Sequence, residues 1–268
     1  MQHIIINADD YAMDAGVDAA VLKLARLGSI SAASAMVLSP RWAEAAQVSH
    51  GAAPLSWGLH LDLTSAFADR GFAGQGLLPL MVRAMTGRLE RAALRREADR
   101  QLSLFEAGRK AAPDFVDGHQ HVHHLPVIRD VLLEALRDRY GEGAKRIGVR
   151  ICKPRVWRGA KAAIIAGSGA SGLAQLARTY GHPVNSDFAG VYDFAADADL
   201  ASYWLRWAER LAGPLPLIMC HVALQSGEEG RGDPIRQARL REFAYLASEE
   251  FQLLCRQFGM RPARWPTV

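Results

Sequence analysis

The sequence has few cysteines and no long apolar run. Its three cysteines, Cys152, Cys220 and Cys255, are widely spaced and form no CxxC pair, which argues against a disulfide framework and for reduced thiols. No stretch reaches the roughly 20 apolar residues of a membrane-spanning helix. Residues 1–10 also lack the basic start of a signal peptide. We therefore expect a cytoplasmic protein with no integral membrane segment.

Aromatic residues and lysines are also scarce. Aromatic side chains make up 8% of the chain, and the basic side chains are 27 arginines against 5 lysines, for a net charge of +4. Binding to nucleic acid would need a basic stripe with interleaved aromatic side chains. The arginines are instead scattered among acidic residues, a pattern that is typical of a solvated surface. We expect no nucleic-acid partner.

Three common catalytic signatures are missing as well. The sequence contains no glycine-rich dinucleotide loop after its first predicted strand, no Walker-type phosphate loop and no Gly-x-Ser-x-Gly nucleophile motif. The composition is otherwise ordinary for a globular protein, with 50% hydrophobic and 22% charged residues. A length of 268 residues fits one α/β barrel of about 250 residues.

Short apolar runs alternate about seven times with amphipathic helical patterns. Strands are predicted at residues 4–7, 30–38, 55–63, 115–119, 146–151, 184–188 and 215–220. Helices are predicted at residues 14–28, 40–48, 77–86, 89–109, 126–141, 161–180, 200–211 and 233–259. Such alternation is typical of parallel strands joined by crossover helices. Because no linker interrupts the pattern, we predict a single α/β domain over residues 1–268, a barrel rather than a doubly wound open sheet.

Polar side chains follow several of the predicted strands. Asp9 and Asp10 come directly after the first strand, and His60 and His221 lie at the ends of two later ones. In a parallel barrel the carboxyl ends of the strands meet at one rim, where catalytic groups sit. An aspartate in this position is also a good helix cap, and a lone histidine after a strand is often structural. Polar groups from four strands at one rim are nevertheless hard to explain by packing.

The fourth predicted strand leads into a histidine-rich segment, DGHQHVHH at residues 117–124. Alternate residues of a strand face the same side, so Asp117, His119, His121 and His123 would share a face if the strand continued. Histidines two residues apart are about 6.6 Å apart along a strand and can converge on one ion. We expect the strand to bend after its first residues, so that His123 and His124 line a cleft or cap the next helix. A histidine-rich polar loop is the alternative.

Three further polar residues are candidates at this rim. His60 and Asp62 share one face of their strand, so Asp62 is expected to orient the His60 ring; a core histidine is the alternative. Arg150 and Asp187 are equally consistent with a surface or structural role, and either is a candidate to orient a catalytic group. The residues that we assign to the substrate pocket are His121, His123, Arg150, Asp62 and Asp187.

Four motifs occur in order along the chain. They are NADDY at 7–11, GLHLDLT at 58–64, DGHQHVH at 117–123 and MCH at 219–221. In order and spacing this set resembles the YdjC-like carbohydrate deacetylases, a family that includes chitooligosaccharide deacetylases and hopanoid-biosynthesis-associated deacetylases. The resemblance covers most of the chain and implies a distorted TIM-like barrel.

The resemblance also implies a set of roles. One divalent metal ion, magnesium or zinc, would be held by Asp10, His60 and His119. Asp9 would be the general base that takes a proton from water, and His221 the general acid that protonates the departing amine. The implied reaction is hydrolysis of the N-acetyl group of an amino sugar, with release of acetate.

The substrate is less well defined than the reaction. A chitooligosaccharide, another N-acetylated glycan and a glycosylated hopanoid lipid all fit. The tryptophans considered for stacking on a sugar are Trp57, Trp157, Trp204 and Trp207. Two other functions stay open: an amidohydrolase-type barrel, whose His-x-His lies near the chain start, and a sugar-binding homologue without catalysis. The sequence is also compatible with a homo-oligomer.

Overall fold

The computed structural model describes residues 1–68, 71, 76–225 and 232–266 of the chain. These residues form eight β-strands and ten α-helices in an alternating order. The strands are β1 (Gln2–Tyr11), β2 (Ala32–Ala35), β3 (Ser56–Leu61), β4 (Phe115–Gly118), β5 (Gly148–Val149), β6 (Phe188–Ala189), β7 (Leu217–Cys220) and β8 (Met260–Pro262). The helices are α1 (Ala15–Leu27), α2 (Trp42–Ser49), α3 (Leu77–Met85), α4 (Arg91–Arg109), α5 (Ile128–Tyr140), α6 (Ala160–Ile165), α7 (Ser171–Thr179), α8 (Leu200–Arg210), α9 (Arg236–Leu246) and α10 (Glu249–Gln257).

The strands form one parallel sheet that curls toward closure. Their order is β5-β4-β3-β2-β1-β7-β6, and β8 pairs with the first residues of β1. At the open edge, Val149 of β5 forms a parallel bridge with Val184, which precedes β6 by four residues. The prediction of an α/β fold with a distorted TIM-like barrel is confirmed. The distortion lies at this edge, where an isolated bridge replaces a full strand pairing.

The central strand β1 is buried on both faces, as is expected in a parallel sheet covered by helices. Ile4 and Ile6 belong to the large apolar cluster between the sheet and the helices. Ile5 belongs to a second cluster on the opposite face, where Trp265 stacks on Phe115 with ring centroids 5.3 Å apart. The two clusters hold the strands from both sides, so the carboxyl ends of the strands are fixed relative to one another.

The boundaries of α1 follow the sequence signals. Asp14 is the N-cap, and its carboxylate accepts a hydrogen bond from the main-chain N–H of Val17 at 2.9 Å. Gly28 ends the helix with φ 69°, a left-handed conformation that favours glycine. Among the described residues, no helix is both long and apolar enough to cross a bilayer.

The predicted long helix at residues 233–259 is wrong, because the structure divides it into α9 and α10. The Ser248 side chain accepts a hydrogen bond from the main-chain N–H of Phe251 at 3.2 Å and caps the second helix. An internal serine that can cap a new helix makes such a break inexpensive. The chain then returns to β1 as β8, a strand of three residues that was not predicted.

The glycine-rich segment after α6 packs against the histidine-rich segment. A π-turn over Ala166–Ala170 joins α6 to α7, and Gly169 within it has φ 134°. A Cβ at Gly169 would lie 2.2 Å from the main-chain oxygen of His124. Both the conformation and the close approach require glycine at this position. The segment therefore supports the histidine-rich turns from outside.

Candidate active site

The polar side chains predicted at the rim do meet at the carboxyl end of the sheet. Asp9 and Asp10 lie in the last residues of β1, His60 lies in β3, and His221 directly follows β7. The register of β3 and β4 places His60 level with Asp117. Nε2 of His221 lies 3.9 Å from Oδ2 of Asp9 and 4.0 Å from Oδ2 of Asp10. Side chains from four strands therefore form one buried cluster.

An irregularity in β1 brings two consecutive carboxylates to the same site. In a regular strand Asp9 and Asp10 would point to opposite faces. The pairing of β1 with β2 shifts register between Ala8 and Tyr11, and Asp10 has φ 69°, in the left-handed region. Surrounding structure must hold a non-glycine residue in this conformation, and such strain often occurs at functional sites. Here it allows both carboxylates to approach His221.

Asp10, His60 and His119 form a candidate metal site. Oδ1 of Asp10 lies 3.3 Å from Nε2 of His60 and 3.1 Å from Nδ1 of His119, and the three ligand atoms lie within 4.8 Å of one another. One carboxylate oxygen and two imidazole nitrogens are a common donor set of catalytic metal sites. Asp10 and His60 are buried, whereas the His119 side chain is 19% exposed. These residues fit one divalent metal ion.

Asp117 sets the orientation of His60. Nδ1 of His60 donates a hydrogen bond to Oδ1 of Asp117 at 2.6 Å, and Nε2 then faces Asp10. Carboxylates orient metal-binding histidines in this way in many proteins. Burial lowers the pKa of His60, but Asp117 and Asp10 raise it more strongly, to about 10. The surroundings thus favour positive charge at this point, as a metal site requires.

Asp9 has one engaged and one free carboxylate oxygen. Its Oδ1 accepts hydrogen bonds from Nδ2 of Asn7 at 2.7 Å and from Nη1 of Arg150 at 2.6 Å. No described residue donates a hydrogen bond to Oδ2, which is the oxygen nearer to His221. Burial works to raise the pKa of Asp9, but the Arg150 guanidinium and the nearby histidines hold it below the usual range. Asp9 is therefore ionised, with Oδ2 able to accept a proton.

His221 is a neutral imidazole at neutral pH. Burial lowers its pKa to about 4, although the carboxylates of Asp10 and Asp9 work to raise it. Its ring also meets the ring of Phe194 edge-on, with centroids 5.1 Å apart. To act as an acid, His221 must first receive a proton. Oδ2 of Asp9 lies 3.9 Å from Nε2 of His221 and is a candidate donor of that proton.

Two buried ionisable side chains of α9 reach the site, and sequence reasoning missed both. Nη2 of Arg239 donates to Oδ2 of Asp10 at 2.7 Å, and its Nε donates to Oδ2 of Asp233 at 2.7 Å. Oε2 of Glu242 accepts the main-chain N–H of His221 at 3.1 Å. Residues three apart share a helix face. The signal available in the sequence was an arginine and a glutamate three residues apart, on one face of a predicted helix.

The histidine-rich segment leaves the strand at once and forms tight turns over His119–His124. Of its histidines, His119 reaches the metal site, as expected if the strand bends. Nε2 of His123 donates to the main-chain oxygen of Arg150 at 2.9 Å, and Nδ1 of His121 lies 3.5 Å from Nη2 of the same arginine. Both pack around the arginine that holds the candidate base. Their role as substrate contacts stays a prediction.

The Asp62 carboxylate bonds to the turn that follows β3 rather than to His60. Its Oδ1 accepts hydrogen bonds from the main-chain N–H groups of Thr64 at 3.1 Å and Ser65 at 2.9 Å, so it caps the turn after β3. The prediction that Asp62 orients the His60 ring is wrong, because Asp117 from the neighbouring strand bonds to Nδ1 of that ring. Its assignment as a substrate contact stays a prediction.

Asp187 anchors a loop and contacts neither catalytic candidate within the described structure. Its carboxylate accepts the main-chain N–H of Arg155 at 2.8 Å and pairs with Arg158 at 2.7 Å. This loop carries Trp157, which is 70% exposed, whereas the other three tryptophans considered for sugar stacking are buried. Asp187 as a substrate contact stays a prediction, and Trp157 is the exposed one of the four tryptophans.

A second group of metal-ligand side chains, His123, His124 and Cys152, is poorly suited to a cation. Nε2 of His124 accepts the main-chain N–H of Cys152 at 3.1 Å, so the neutral ring carries its proton on Nδ1 and has no lone pair left for a cation. Burial raises the pKa of the Cys152 thiol to about 12, so the thiol is neutral. Arg150 adds positive charge beside the group. We assign no metal to it.

We expect Glu242 to make the stability of the fold depend on pH. Burial raises its pKa to about 8 from an ordinary 4.5, although hydrogen bonds from Tyr192 and His221 work to lower it. Between these two pH values the folded protein keeps a proton that the unfolded chain has lost. The contribution of Glu242 to the free energy of unfolding therefore falls as pH rises from 4.5 to 8. Glu242→Gln should remove this dependence.

Urea unfolding of the wild type and Glu242→Gln at pH 5 and pH 8.5, both in EDTA, measures the effect. The variant should gain stability relative to the wild type between the two pH values, on the order of 3 kcal/mol. Other titrating groups are common to both proteins, so the difference isolates residue 242. If the free energies of unfolding of the variant and the wild type differed by the same amount at both pH values, a raised pKa of Glu242 would be contradicted.

The fold and the site together define a parallel α/β barrel with a candidate Asp-His-His metal site at the carboxyl end of its strands. A family model described as "YdjC-like protein" matches residues 3–257 of the chain. The chain belongs to this family, which confirms the resemblance drawn from its four motifs.

Named relatives agree with this assignment. The chitooligosaccharide deacetylase of Escherichia fergusonii is 30% identical over 132 residues, 47% of this chain and 52% of that protein. The carbohydrate deacetylase of Homo sapiens is 25% identical over 223 residues, 78% of this chain and 62% of that protein. The matches thus span about half to three fifths of the length of these relatives.

Among solved structures, a protein of Enterococcus faecalis superposes with a TM-score of 0.76 at 19% identity, over 98% of this chain and 97% of that one. A polysaccharide deacetylase of Bacillus cereus gives a TM-score of 0.50 at 10% identity, over 99% of this chain and 93% of that one. Identities this low show a shared fold and no more.

Proposed function

We propose that this protein is a metal-dependent carbohydrate N-deacetylase of the cytoplasm, which removes the acetyl group from an N-acetylated amino sugar. The observation that carries the proposal is an ionised carboxylate beside a metal site: Oδ2 of Asp9 is free, and Oδ1 of the adjacent Asp10 faces two histidines. The relatives named as chitooligosaccharide and carbohydrate deacetylases support the substrate class.

Asp10, His60 and His119 would hold the divalent metal ion. When bound, the ion supplies Lewis acidity, which polarises a carbonyl oxygen and lowers the pKa of water. Two imidazole nitrogens among the donors favour zinc over magnesium, since magnesium prefers oxygen ligands. His60 is already held by Asp117 and Asp10 by Arg239, so two of the three ligands need little rearrangement.

Proton transfer falls to Asp9 and His221. Oδ2 of Asp9 accepts a proton from the attacking water, while Asn7 and Arg150 hold the other oxygen in place. His221 starts neutral, so it receives this proton from Asp9, 3.9 Å away, and passes it to the sugar nitrogen as the amide C–N bond breaks. The products are acetate and a free amine. Such distances commonly shorten when substrate binds.

The finer substrate is part of the same proposal. A short chitooligosaccharide, another N-acetylated glycan and a glycosylated hopanoid all present the required acetamido group.

Acetate release from N-acetylglucosamine oligomers, with defined metals added, tests the function. We expect release with zinc or magnesium, loss after dialysis against a chelator, and recovery when the metal is restored. His119→Gln removes one metal ligand and should lower both metal occupancy and the rate of acetate release, by about 100-fold. Metal content measured on the same samples links the two losses.

His50→Gln is the matched control for the ligand variant. His50 lies at the end of α2, where Nε2 contacts the main-chain oxygen of Gly108 at 3.0 Å, and it makes no contact with the site. This variant should bind metal and release acetate as the wild type does. A metal-loaded wild type that releases no acetate from any N-acetylated sugar would contradict the proposed function.

A further inference from the structure

One face of α9 contacts the site at two separate points. Arg239 and Glu242 are each 2% exposed, one helical turn apart. Arg239 reaches the carboxylate of Asp10, which is a candidate metal ligand, and Glu242 reaches the main chain of His221, the candidate acid. A single rigid helix thus connects the two halves of the catalytic arrangement.

Arg239 determines which oxygen of Asp10 is available. Its Nη2 donates to Oδ2 of Asp10 at 2.7 Å, and Oδ1 is left facing His60 and His119. The guanidinium is itself fixed, because its Nε donates to Oδ2 of Asp233 at 2.7 Å. A carboxylate clamped at one oxygen presents the other in a single direction.

Glu242 fixes the segment that carries the imidazole of His221. Oε2 of Glu242 accepts the main-chain N–H of His221 at 3.1 Å, and Oε1 accepts the hydroxyl of Tyr192 at 2.9 Å. The ring centroids of Tyr192 and Phe194 lie 4.4 Å apart. The Phe194 ring in turn packs edge-to-face against the ring of His221, with centroids 5.1 Å apart. Glu242 therefore holds the main chain of His221 directly and its side chain through two aromatic rings.

Stability alone gives little reason to bury these two groups. Taking charged or polar side chains out of water costs free energy, and well-packed apolar residues of similar size often serve a fold equally well or better. Arg239 and Glu242 form hydrogen bonds with candidate catalytic residues and not with each other. Their placement is explained if each aligns the group that it contacts.

We propose that Arg239 and Glu242 are positioning residues, with Arg239 orienting Asp10 toward the metal and Glu242 orienting His221 toward the departing amine. The proposal rests on the proposed function for the chemistry that the two residues serve. The two roles are separable, because Arg239 acts on a metal ligand and Glu242 acts on the acid.

The test compares Arg239→Gln with Glu242→Ala in metal affinity, measured by titration calorimetry with zinc, and in the kinetics of acetate release. Loss of a residue that orients a metal ligand typically costs about 10- to 100-fold in affinity. We expect that loss for Arg239→Gln. For Glu242→Ala we expect unchanged zinc affinity and KM, with kcat lowered about tenfold. If α9 had only a structural role, each of the two variants would lower both the zinc affinity and kcat.

Two variants and one spectroscopic measurement complete the design. Arg241→Gln makes the same change on the same helix, at a residue bonded to the main-chain oxygens of Ala196 and Ala198, and should leave zinc affinity unchanged. Glu242→Gln keeps an acceptor for the His221 N–H and should restore kcat. Amide hydrogen exchange at His221 should be faster in Glu242→Ala than in the wild type.

The readouts separate this proposal from the proposed function. Zinc affinity and amide exchange do not require turnover, so they report on Arg239 and Glu242 even if no sugar is deacetylated. Unchanged zinc affinity in Arg239→Gln, or unchanged exchange at His221 in Glu242→Ala, would overturn the corresponding assignment. A wild type that binds zinc but releases no acetate would count against the function alone.

Discussion

Asp9→Asn should lower kcat for acetate release by about 10²- to 10⁴-fold, the usual contribution of a general base. Asparagine has the shape of aspartate, but its amide cannot take up a proton from water at neutral pH. The neighbouring donors Asn7 and Arg150 both contact Oδ1 of Asp9, so the side chain keeps its place if the asparagine oxygen occupies that position. The metal ligands Asp10 and His60 are untouched.

The zinc affinity of Asp9→Asn shows whether the fall in kcat comes from loss of the base or from damage to the metal site. Calorimetric titration of Asp9→Asn should give a zinc affinity within several-fold of the wild type, because Asp9 does not belong to the candidate metal site. Asp199→Asn is the control: its carboxylate caps α8 by accepting the main-chain N–H of Ser202 at 3.0 Å, and an asparagine caps nearly as well, so kcat should stay near the wild-type value. Wild-type turnover in Asp9→Asn would show that another group is the base.

The sequence was most informative where strands end. Short β-branched runs predicted the strands, and a parallel arrangement required polar groups at their carboxyl ends to meet, which placed Asp9, His60 and His221 together. This reasoning depends only on strand polarity and a period of two. It therefore survived errors in strand length, such as a β1 that extends to Tyr11 instead of ending at residue 7.

The partners of these groups could not be predicted in the same way. His60 was paired with Asp62, its neighbour on the same strand face, whereas Asp117 on the adjacent strand is bonded to it. Cross-strand partners depend on register, which a single sequence leaves open. The contact of Arg239 with Asp10 joins residues 229 positions apart, and no local pattern carries such information.

The left-handed conformation of Asp10 is a further feature without a local signal. Glycine normally marks such positions, but the residues from Asn7 to Ala12 contain none. The packing of a strand buried on both faces, and the charged groups around it, impose the conformation instead. Two adjacent acidic residues after an apolar run predicted that something unusual happens there, while the bulge that makes them converge is a property of the folded sheet.

The second large effect concerns the stability of the fold rather than the rate. Arg150 is fully buried, and its Nη1 lies 2.6 Å from Oδ1 of Asp9 and 2.9 Å from Oδ2 of Asp117. Removing one partner of a buried ion pair leaves an uncompensated charge and typically costs about 3–5 kcal/mol. Arg150→Met, which keeps most of the side-chain volume, should therefore lower the free energy of unfolding by about that amount near pH 7.

The cost should depend on pH, and the sign follows from the pKa of Asp9. Burial works to raise this pKa, but Arg150 holds it below the ordinary value, so the wild type gains stability from Asp9 above about pH 4 and loses it as pH falls further. Without Arg150, burial dominates and the pKa rises. The variant then loses stability as pH rises from about 4 to the raised pKa, so the gap from the wild type should widen above pH 4.

Urea unfolding across this range, in EDTA, measures the gap directly. Arg150→Lys keeps a positive charge and should be less destabilised than Arg150→Met, although it loses the planar geometry that serves two carboxylates at once. Adding Asp117→Asn to Arg150→Met removes one of the two stranded charges and should recover part of the loss. In the metal-loaded enzyme, the acidic limb of kcat/KM should move to higher pH in Arg150→Met, since the base is protonated more easily. A cost below about 1 kcal/mol that does not vary with pH would mean that Arg150 neither stabilises the two carboxylates nor keeps Asp9 ionised for catalysis.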